Sequence, residues 1–560
     1  MTIKNIFRIV SRDTLTLITN VIGLSLGLAA TILLTVFIQF ELSFDRHFTH
    51  GDRIYRMNSI WHSENGTMET AINLRQGFTE IPEQVAGIES AIQLYRGFEV
   101  EITEGENRHK ELQLLYSDPD FFRIFDLKML TGSPESALRD PASVVLSEKA
   151  AMRIYGTLDV VGRSLGMEEV LYTVSGVVKD IPPNTHFHFD ILMPMEAIPY
   201  LSDLRGLEFF TYYLLQEGVE PGPVLETIGR ENSGILKERF SSFEGSSFDT
   251  RLEPLRELHL HTAVTWDLSP PGSMKTILIM LIITIAVMGL ALSNFVNLYI
   301  LNGAKRSREI GIRKVNGSGR QNLIRMFYME TALVVSIAFV LGIIIAMALL
   351  PSFATVMQRD SFSQVTSTPA LYLVMAALFV VTVLFSGFYP AILLSREAPV
   401  PLIRGGVNPA GDKRILLRVV SVVQICIAVC LLTILIGINT QIRYLKNHPL
   451  GYNPENIMLF SNLNQDLTEN YLAIRDNLLN INGIEDVSAS FHTLGAGNSG
   501  QSIRMLSDDP NQVKGINEYR IQPGICQLYQ INLAAGRYLD PDRSPDRAGI
   551  ILNVEAANML

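Results

Sequence analysis

Cysteine is scarce: the 560 residues hold three, with Cys426 and Cys430 inside an apolar run and Cys526 alone in a polar stretch. So few thiols imply no disulfide framework, and the first two, four apart on one helical face, suit packing against lipid or another helix. Any Gly-x-x-x-x-Gly-Lys-Ser/Thr is missing too. The nearest approach, Gly272-Ser273-Met274-Lys275-Thr276, lacks a second glycine before its lysine and runs into an apolar segment. Without a phosphate-cradling loop, these residues are not expected to bind or hydrolyse a nucleoside triphosphate. Basic charge is not in excess either. The formal net charge is −10, which argues against nucleic acid as a partner.

Charge of either sign is absent from five long blocks: Thr14–Phe40, Thr276–Ala304, Thr331–Gln358, Ser361–Ser395 and Val419–Ile442. At about 1.5 Å per residue, roughly 20 apolar residues cross the hydrocarbon core of a bilayer. Five spans are therefore predicted, over 15–40, 276–302, 331–350, 370–394 and 419–440. The first block is too long for a signal-peptide core, and no small-x-small site precedes Glu41, so it reads as a retained anchor. Ahead of it, Ile3, Ile6, Phe7 and Val10 oppose Lys4, Arg8 and Arg12, the pattern of an interfacial amphipathic helix over 1–14.

Basic residues in short loops set the orientation. They cluster at Lys4, Arg8 and Arg12, again over 303–329, and again at Arg396, Arg404, Lys413, Arg414 and Arg418. This alternation puts the N-terminus, a segment over 303–329 and a linker over 395–418 in the cytoplasm. Residues 41–274 and 443–560 then lie outside. The 41–274 segment holds 37 acidic and 20 basic residues, so it carries the negative charge. Its pattern is that of an α+β domain: Ser143–Leu146 and Tyr172–Val178 read as strands, and Glu148–Tyr155 as a short helix stopped by Gly156. The expected fold is thus an α-helical membrane protein with α+β extracytoplasmic domains.

The tail repeats this domain's vocabulary. Gly87-Ile88-Glu89-Ser90-Ala91 returns as Gly483-Ile484-Glu485-Asp486-Val487, and Phe125–Gly132 loosely as Tyr529–Gly536. Val144–Ala151 returns as Ile550–Ala557. Collinear offsets of 396, 404 and 406 suggest duplication of a unit made of one span, an external domain and three spans. By that unit the second domain, 443–560, is expected to be incomplete.

The 303–329 segment contains Arg308-Glu309-Ile310-Gly311-Ile312-Arg313-Lys314-Val315-Asn316-Gly317. As a helix it carries Ile312 and Val315 on one side and Arg306, Arg313 and Arg320 on another, with Gly317-Ser318-Gly319 as its stop. Contact with anionic lipid is one role such a segment can play. Gly23-x-x-x-Gly27 and Gly342-x-x-x-Ala346 would let spans approach closely. His186-x-His188 and His259-x-His261 have the spacing of strand-borne metal ligands, but with no Cys or carboxylate beside them they read as strand-edge residues, and no metal site is expected. Nor does any span carry the buried charges of an ion-coupled pathway.

The run from Arg308 to Gly317, with Glu330 opening the next span, resembles the cytoplasmic signature of the FtsX/MacB-type permeases of ABC transporters. The same family is resembled by Asn20–Ala29 through Phe40-Glu41-Leu42-Ser43-Phe44-Asp45, by Gly387-Phe388-Tyr389-Pro390-Ala391 with Ala398-Pro399-Val400, and by Val144–Ser147 and Asn184-Thr185-His186-Phe187. The duplicated eight-span layout is similar to large permeases common in Bacteroidetes-type bacteria. The resemblance implies a permease subunit of the bacterial inner membrane that exports or extracts a substrate, with 41–274 as a MacB-like periplasmic core domain. It also implies a separate ABC ATPase that uses ATP and docks on Arg308, Glu309, Ile310, Gly311, Arg313, Lys314 and Gly317. No cofactor is expected in the chain itself. A homodimer or pseudo-dimer and a periplasmic adaptor follow from the same resemblance. The alternative within the family is a regulatory membrane protein controlling a kinase or a cell-wall hydrolase. Relatives handle macrolides, lipoproteins and peptides, and nothing in 41–274 selects among these.

Overall fold

The computed structural model describes residues 14–560 apart from short stretches, the longest being 397–411, 506–513, 242–246 and 462–466; side chains are not described before residue 17 or over 300–310 and 389–417. The helix expected over 1–14 and most of the linker expected over 395–418 lie outside these residues. Contacts divide the chain into two compact units, one of Met1–Ile60, Met68–Asn232 and Thr250–Ile436, the other of Trp61–Thr67, Ser233–Asp249 and Gly437–Leu560.

Among the described residues, five helices are long and apolar enough to cross a membrane. They are span 1 (Thr14–Leu42), span 2 (Met274–Lys305), span 3 (Arg320–Val356), span 4 (Pro369–Arg396) and span 5 (Asp412–Asn447). Several outrun the apolar windows. Span 3 begins at Arg320 rather than near 331 because Arg320–Tyr328 contains neither Gly nor Pro to break it, and because Leu323, Met326 and Phe327 give that stretch a buried face of its own. Glu330, expected at the interface, is buried within this helix.

Spans 1 to 3 pack through small residues. A Cβ on Gly27 would lie 2.3 Å from the Ala291 Cβ of span 2, and one on Gly342 would lie 3.0 Å from the Leu28 Cβ of span 1. Gly23 faces Asn294 of span 2, where a Cβ would sit 3.3 Å from Nδ2. These approaches let backbones pack where lipid tails offer no hydrophobic driving force. Span 5 meets the others through an amide pair in mid-helix, Asn297 Nδ2 donating to Gln424 Oε1 at 3.4 Å.

Between spans 1 and 2 lies a thirteen-stranded sheet. One half runs β13 (Ser247–Pro254), β1 (Ile54–Ser63), β12 (Phe210–Leu215), β3 (Ile88–Arg96) and β6 (Leu114–Ser117). The other continues through β11 (Ile191–Pro194), β8 (Ser143–Ser147), β10 (Val170–Val178), β9 (Ser164–Met167), β4 (Val100–Glu104) and β5 (Asn107–Leu112). β2 (Gly66–Thr70) pairs with β1, and β7 (Met129–Gly132) with β10. The central strands are covered on both faces: Val144, Leu146, Ile191 and Met193 enter one core, while Val145 and Leu192 enter the other. Continuous apolar runs such as Val144-Val145-Leu146 are what strands buried on both faces require. Glu148–Tyr155 is a helix as expected, with the Ser147 side chain capping Ala150 N–H and Gly156 at φ 68° closing its end.

The tail reproduces the local skeleton of this domain. Positive-φ glycines recur at Gly87 and Gly483 (98° and 102°) and at Gly132 and Gly536 (88° and 87°). Four-residue helices Phe121–Ile124 and Ile525–Leu528 precede the second matching pair, and Asn553 caps Ala556 N–H as Ser147 caps Ala150. Even a strand contact recurs, Leu94 opposite Ser117 and Ser490 opposite Ile521. What the tail lacks among its described residues is burial: Ile525, Cys526 and Asp546 alone are buried there. In the first domain, β8 is covered by β10 and β11, which follow it in sequence. At the corresponding position Ile550–Leu552 lies outside any strand, and Ile550 is exposed.

Candidate functional site

The ends of spans 1, 2 and 3 meet the sheet domain in a buried polar joint. Span 1 ends at Leu42 because Ser43 folds back, its N–H and Oγ–H both donating to the Phe40 carbonyl. Asp45 then turns the chain at φ 56°. The turn Asn184-Thr185-His186 receives it: Asp45 N–H donates to the Asn184 carbonyl at 3.0 Å, and Asn184 Nδ2 donates to Ser43 O at 3.0 Å and Ser43 Oγ at 2.9 Å.

Two carboxylates carry the joint. Glu41, 4% exposed, accepts from Arg359 Nε at 3.0 Å and Nη2 at 2.6 Å on one oxygen, and from His259 Nε2 at 2.8 Å on the other. A buried carboxylate is stable only when its lone pairs are met in this way. Arg359 follows span 3, and His259 lies in the helix Leu258–His261 shortly before span 2. Thus one residue at the end of span 1 ties together the neighbouring ends of spans 2 and 3. The Phe44 ring stacks on His259 with centroids 3.4 Å apart, and Gly272 approaches so closely that a Cβ there would lie 2.5 Å from His259 Nε2.

The second carboxylate, Asp45, accepts from His186 N–H at 3.1 Å and Nδ1 at 2.8 Å. With Nδ1 donating, His186 Nε2 accepts the Tyr212 hydroxyl proton at 2.9 Å. Burial pushes the Tyr212 phenol far up, which keeps that proton in place. Tyr212 in turn neighbours Arg56, whose buried guanidinium donates to Asp267 at 2.7 Å and to Asn58 at 3.1 Å. The chain of contacts runs from the exit of span 1 through β12 and β1 to Asp267, a few residues before span 2. Beside it, burial lowers the His47 imidazole pKa.

The four histidines do not converge as a metal site. His186 and His259 are each committed to their own carboxylate, and among the described residues no group of three or more His, Cys, Asp or Glu is placed to hold an ion. No sequence pattern assigns a role to the two carboxylates or to Arg359. Arg359 does leave a usable signal: it is a basic residue in the short link between spans 3 and 4, on the side that basic loops avoid, and such a cation needs a partner.

At the other ends of spans 2 and 3 lies the helix Ser307–Val315, which carries Arg308, Glu309, Ile310 and Gly311 and ends just after Arg313 and Lys314. Ser318 N–H donates to the Arg313 carbonyl and Gly317 N–H to that of Lys314, with Gly317 at φ 84°, a Schellman ending that turns the chain into span 3 at Gly319. Ile312 and Val315 are 49% and 65% exposed, an apolar pair on a basic helix. Gly311 is buried.

Residues 17–230 match the family model of a MacB-like periplasmic core domain, and residues 280–399 that of an FtsX-like permease C-terminal domain. The macrolide export ATP-binding/permease protein MacB of Chromobacterium violaceum is 24% identical over 279 residues, which are 49% of this chain and 40% of that protein. Its Bordetella avium counterpart is 32% identical over 121 residues, 21% of this chain and 17% of that protein. The chain thus covers less than half the length of these relatives. Among solved structures, a Porphyromonas gingivalis domain described as part of a permease is 22% identical with a TM-score of 0.34, covering 42% of this chain and 99% of that domain. The periplasmic region of MacB from Actinobacillus actinomycetemcomitans is 15% identical with a TM-score of 0.27, covering 37% and 91%.

Proposed function

This chain is an ABC transporter permease of the FtsX/MacB type, and from that premise we propose that it is a mechanical coupler, carrying the stroke of a separate ATPase to its extracytoplasmic domain. One observation carries the proposal. The helix Ser307–Val315 joins spans 2 and 3 on one side of the bundle, and the opposite ends of those two spans are pinned together by Glu41 through His259 and Arg359. A push on that helix reaches two stiff rods whose far ends share a single buried joint with the root of the sheet domain.

In this reading the N-terminus and the Ser307–Val315 helix are cytoplasmic and the sheet domain is periplasmic. ATP is used by the partner and no cofactor is held in this chain. Arg308, Glu309, Arg313 and Lys314 supply charge for docking, Ile312 and Val315 supply apolar area, and Gly317 fixes the helix end. The subunit acts as a homodimer, or as a pseudo-dimer through its duplicated units, and the motion serves export or extraction of a substrate on the periplasmic side.

The test is co-purification of an ABC ATPase with the full chain. Charge reversal by Glu309→Lys and Arg313→Glu is expected to abolish it while membrane insertion is retained. Unchanged co-purification would remove the docking assignment.

A further inference from the structure

A cavity of about 180 Å³ opens beside the joint, between the adjoining ends of spans 1, 2 and 3, lined by Phe37, Glu41, Gly272, Ser273, Ile277 and Arg359. Its composition is split. Phe37 and Ile277 lie on the span side and give it an apolar floor. Arg359 and Ser273 give it a polar rim where the charge-free stretches end.

The Arg359 charge is paired with Glu41, but one edge of its guanidinium stays open to the cavity. Arg359 spends Nε and Nη2 on Glu41, and Glu41 is met in addition by His259. The guanidinium is held over the Phe40 and Phe44 rings at 5.7 and 5.4 Å, so its direction is fixed, and its Nη1 has no hydrogen-bond partner among the described residues. Exposed Lys275 follows Ser273 closely, adding positive charge at the same level. A group with acceptor oxygens and negative charge, attached to an apolar chain, satisfies both halves of this cavity.

We propose that the cavity seats one phospholipid of the leaflet on the sheet-domain side, its phosphodiester against Arg359 and Ser273 and an acyl chain along Phe37 and Ile277. A phosphate recognised by a fixed guanidinium is a charge-assisted contact. The position of the cavity at the ends of three spans places it at headgroup depth, which favours a lipid over a free anion. The lipid would then be a structural member of the joint, wedged where the three spans meet the sheet domain.

The test uses the full chain purified in detergent, stripped of lipid, and titrated with phosphatidylglycerol while bound lipid is counted by native mass spectrometry. The unaltered chain is expected to retain one phosphatidylglycerol more than the Ser273→Phe variant, which fills the cavity without touching the bonds of Glu41. Arg359→Gln is expected to weaken retention about fivefold, the factor for one basic residue at an anionic surface. Equal retention by the unaltered chain and Ser273→Phe overturns the proposal, whatever Arg359→Gln does to folding. Displacement of the lipid by millimolar inorganic phosphate overturns the lipid in favour of a free anion, and equal retention of a phosphate-free galactolipid overturns the phosphate as the recognised group.

Discussion

Gly272→Ala isolates the joint. The backbone at Gly272 does not lie in the left-handed region, so alanine is tolerated there conformationally, and in an open site it would stabilise by about 0.4–1 kcal/mol through the unfolded chain. Here its Cβ would lie 2.5 Å from His259 Nε2 and 2.9 Å from Glu41 Oε2, inside a hydrogen bond whose own length is 2.8 Å. One charge-assisted bond is worth about 1.5–3 kcal/mol, and Arg359 still meets the carboxylate, so the expected loss is about 2 kcal/mol. For a domain of this size that lowers the unfolding midpoint by about 5 °C. Thermal unfolding of the full chain in detergent measures it, and a double-mutant cycle with His259→Ala assigns it. With the imidazole gone, Gly272→Ala should cost clearly less, since only the Glu41 Oε2 contact at 2.9 Å remains. Full additivity of the two substitutions would refute the reasoning, because it would mean that the alanine acts elsewhere.

Other expectations concern separate parts of the molecule. Gly317→Val puts a β-branched residue at φ 84° and should cost about 1–2 kcal/mol locally, read as faster tryptic cleavage after Arg313 and Lys314, while Gly317→Asn should be milder. Ile312→Asp with Val315→Asp should leave thermal stability unchanged, since both side chains are exposed, yet reduce ATPase co-purification at least about tenfold by burying unpaired charge at the docking surface. Burial holds the folded-state pKa of His47 below the ordinary imidazole value of 6.5, so the unfolded chain binds its proton more readily. Its contribution is therefore present above pH 6.5 and lost as pH falls through the lowered folded value. Denaturant titrations from pH 7.5 to pH 5 should show that loss, and His47→Gln should flatten it.

The spans are legible in the sequence because a charge-free stretch of 24 or more residues is rare outside a bilayer. So is the Glu148–Tyr155 helix, whose cap, apolar face and stop are all local. The likeness of the tail to the first domain is readable for a similar reason: turns that need a positive φ keep their glycines, as Gly87 and Gly483 do. The start of span 3 is not readable, because hydropathy marks where lipid begins and not where the helix does. The joint is the least accessible part. Glu41 and Arg359 are separated by 318 positions, and neither belongs to a spacing pattern that could connect them. His186 and His259 each open an i, i+2 pair that reads as strand-edge residues, whereas His186 lies in a bend and His259 in a short helix, and their partners are carboxylates at the exit of span 1.

Pulsed electron–electron distance measurement tests the coupling claim most directly. One spin label goes at Met152, exposed on the sheet domain, and one at Asn316, beside the Ser307–Val315 helix, with Cys426, Cys430 and Cys526 replaced. In the assembly with its ATPase, ATP is expected to shift the distance distribution, and Glu41→Gln with Arg359→Gln is expected to suppress the shift while ATP is still hydrolysed. A distribution unmoved by ATP, or one that moves equally when the joint is broken, would contradict the account.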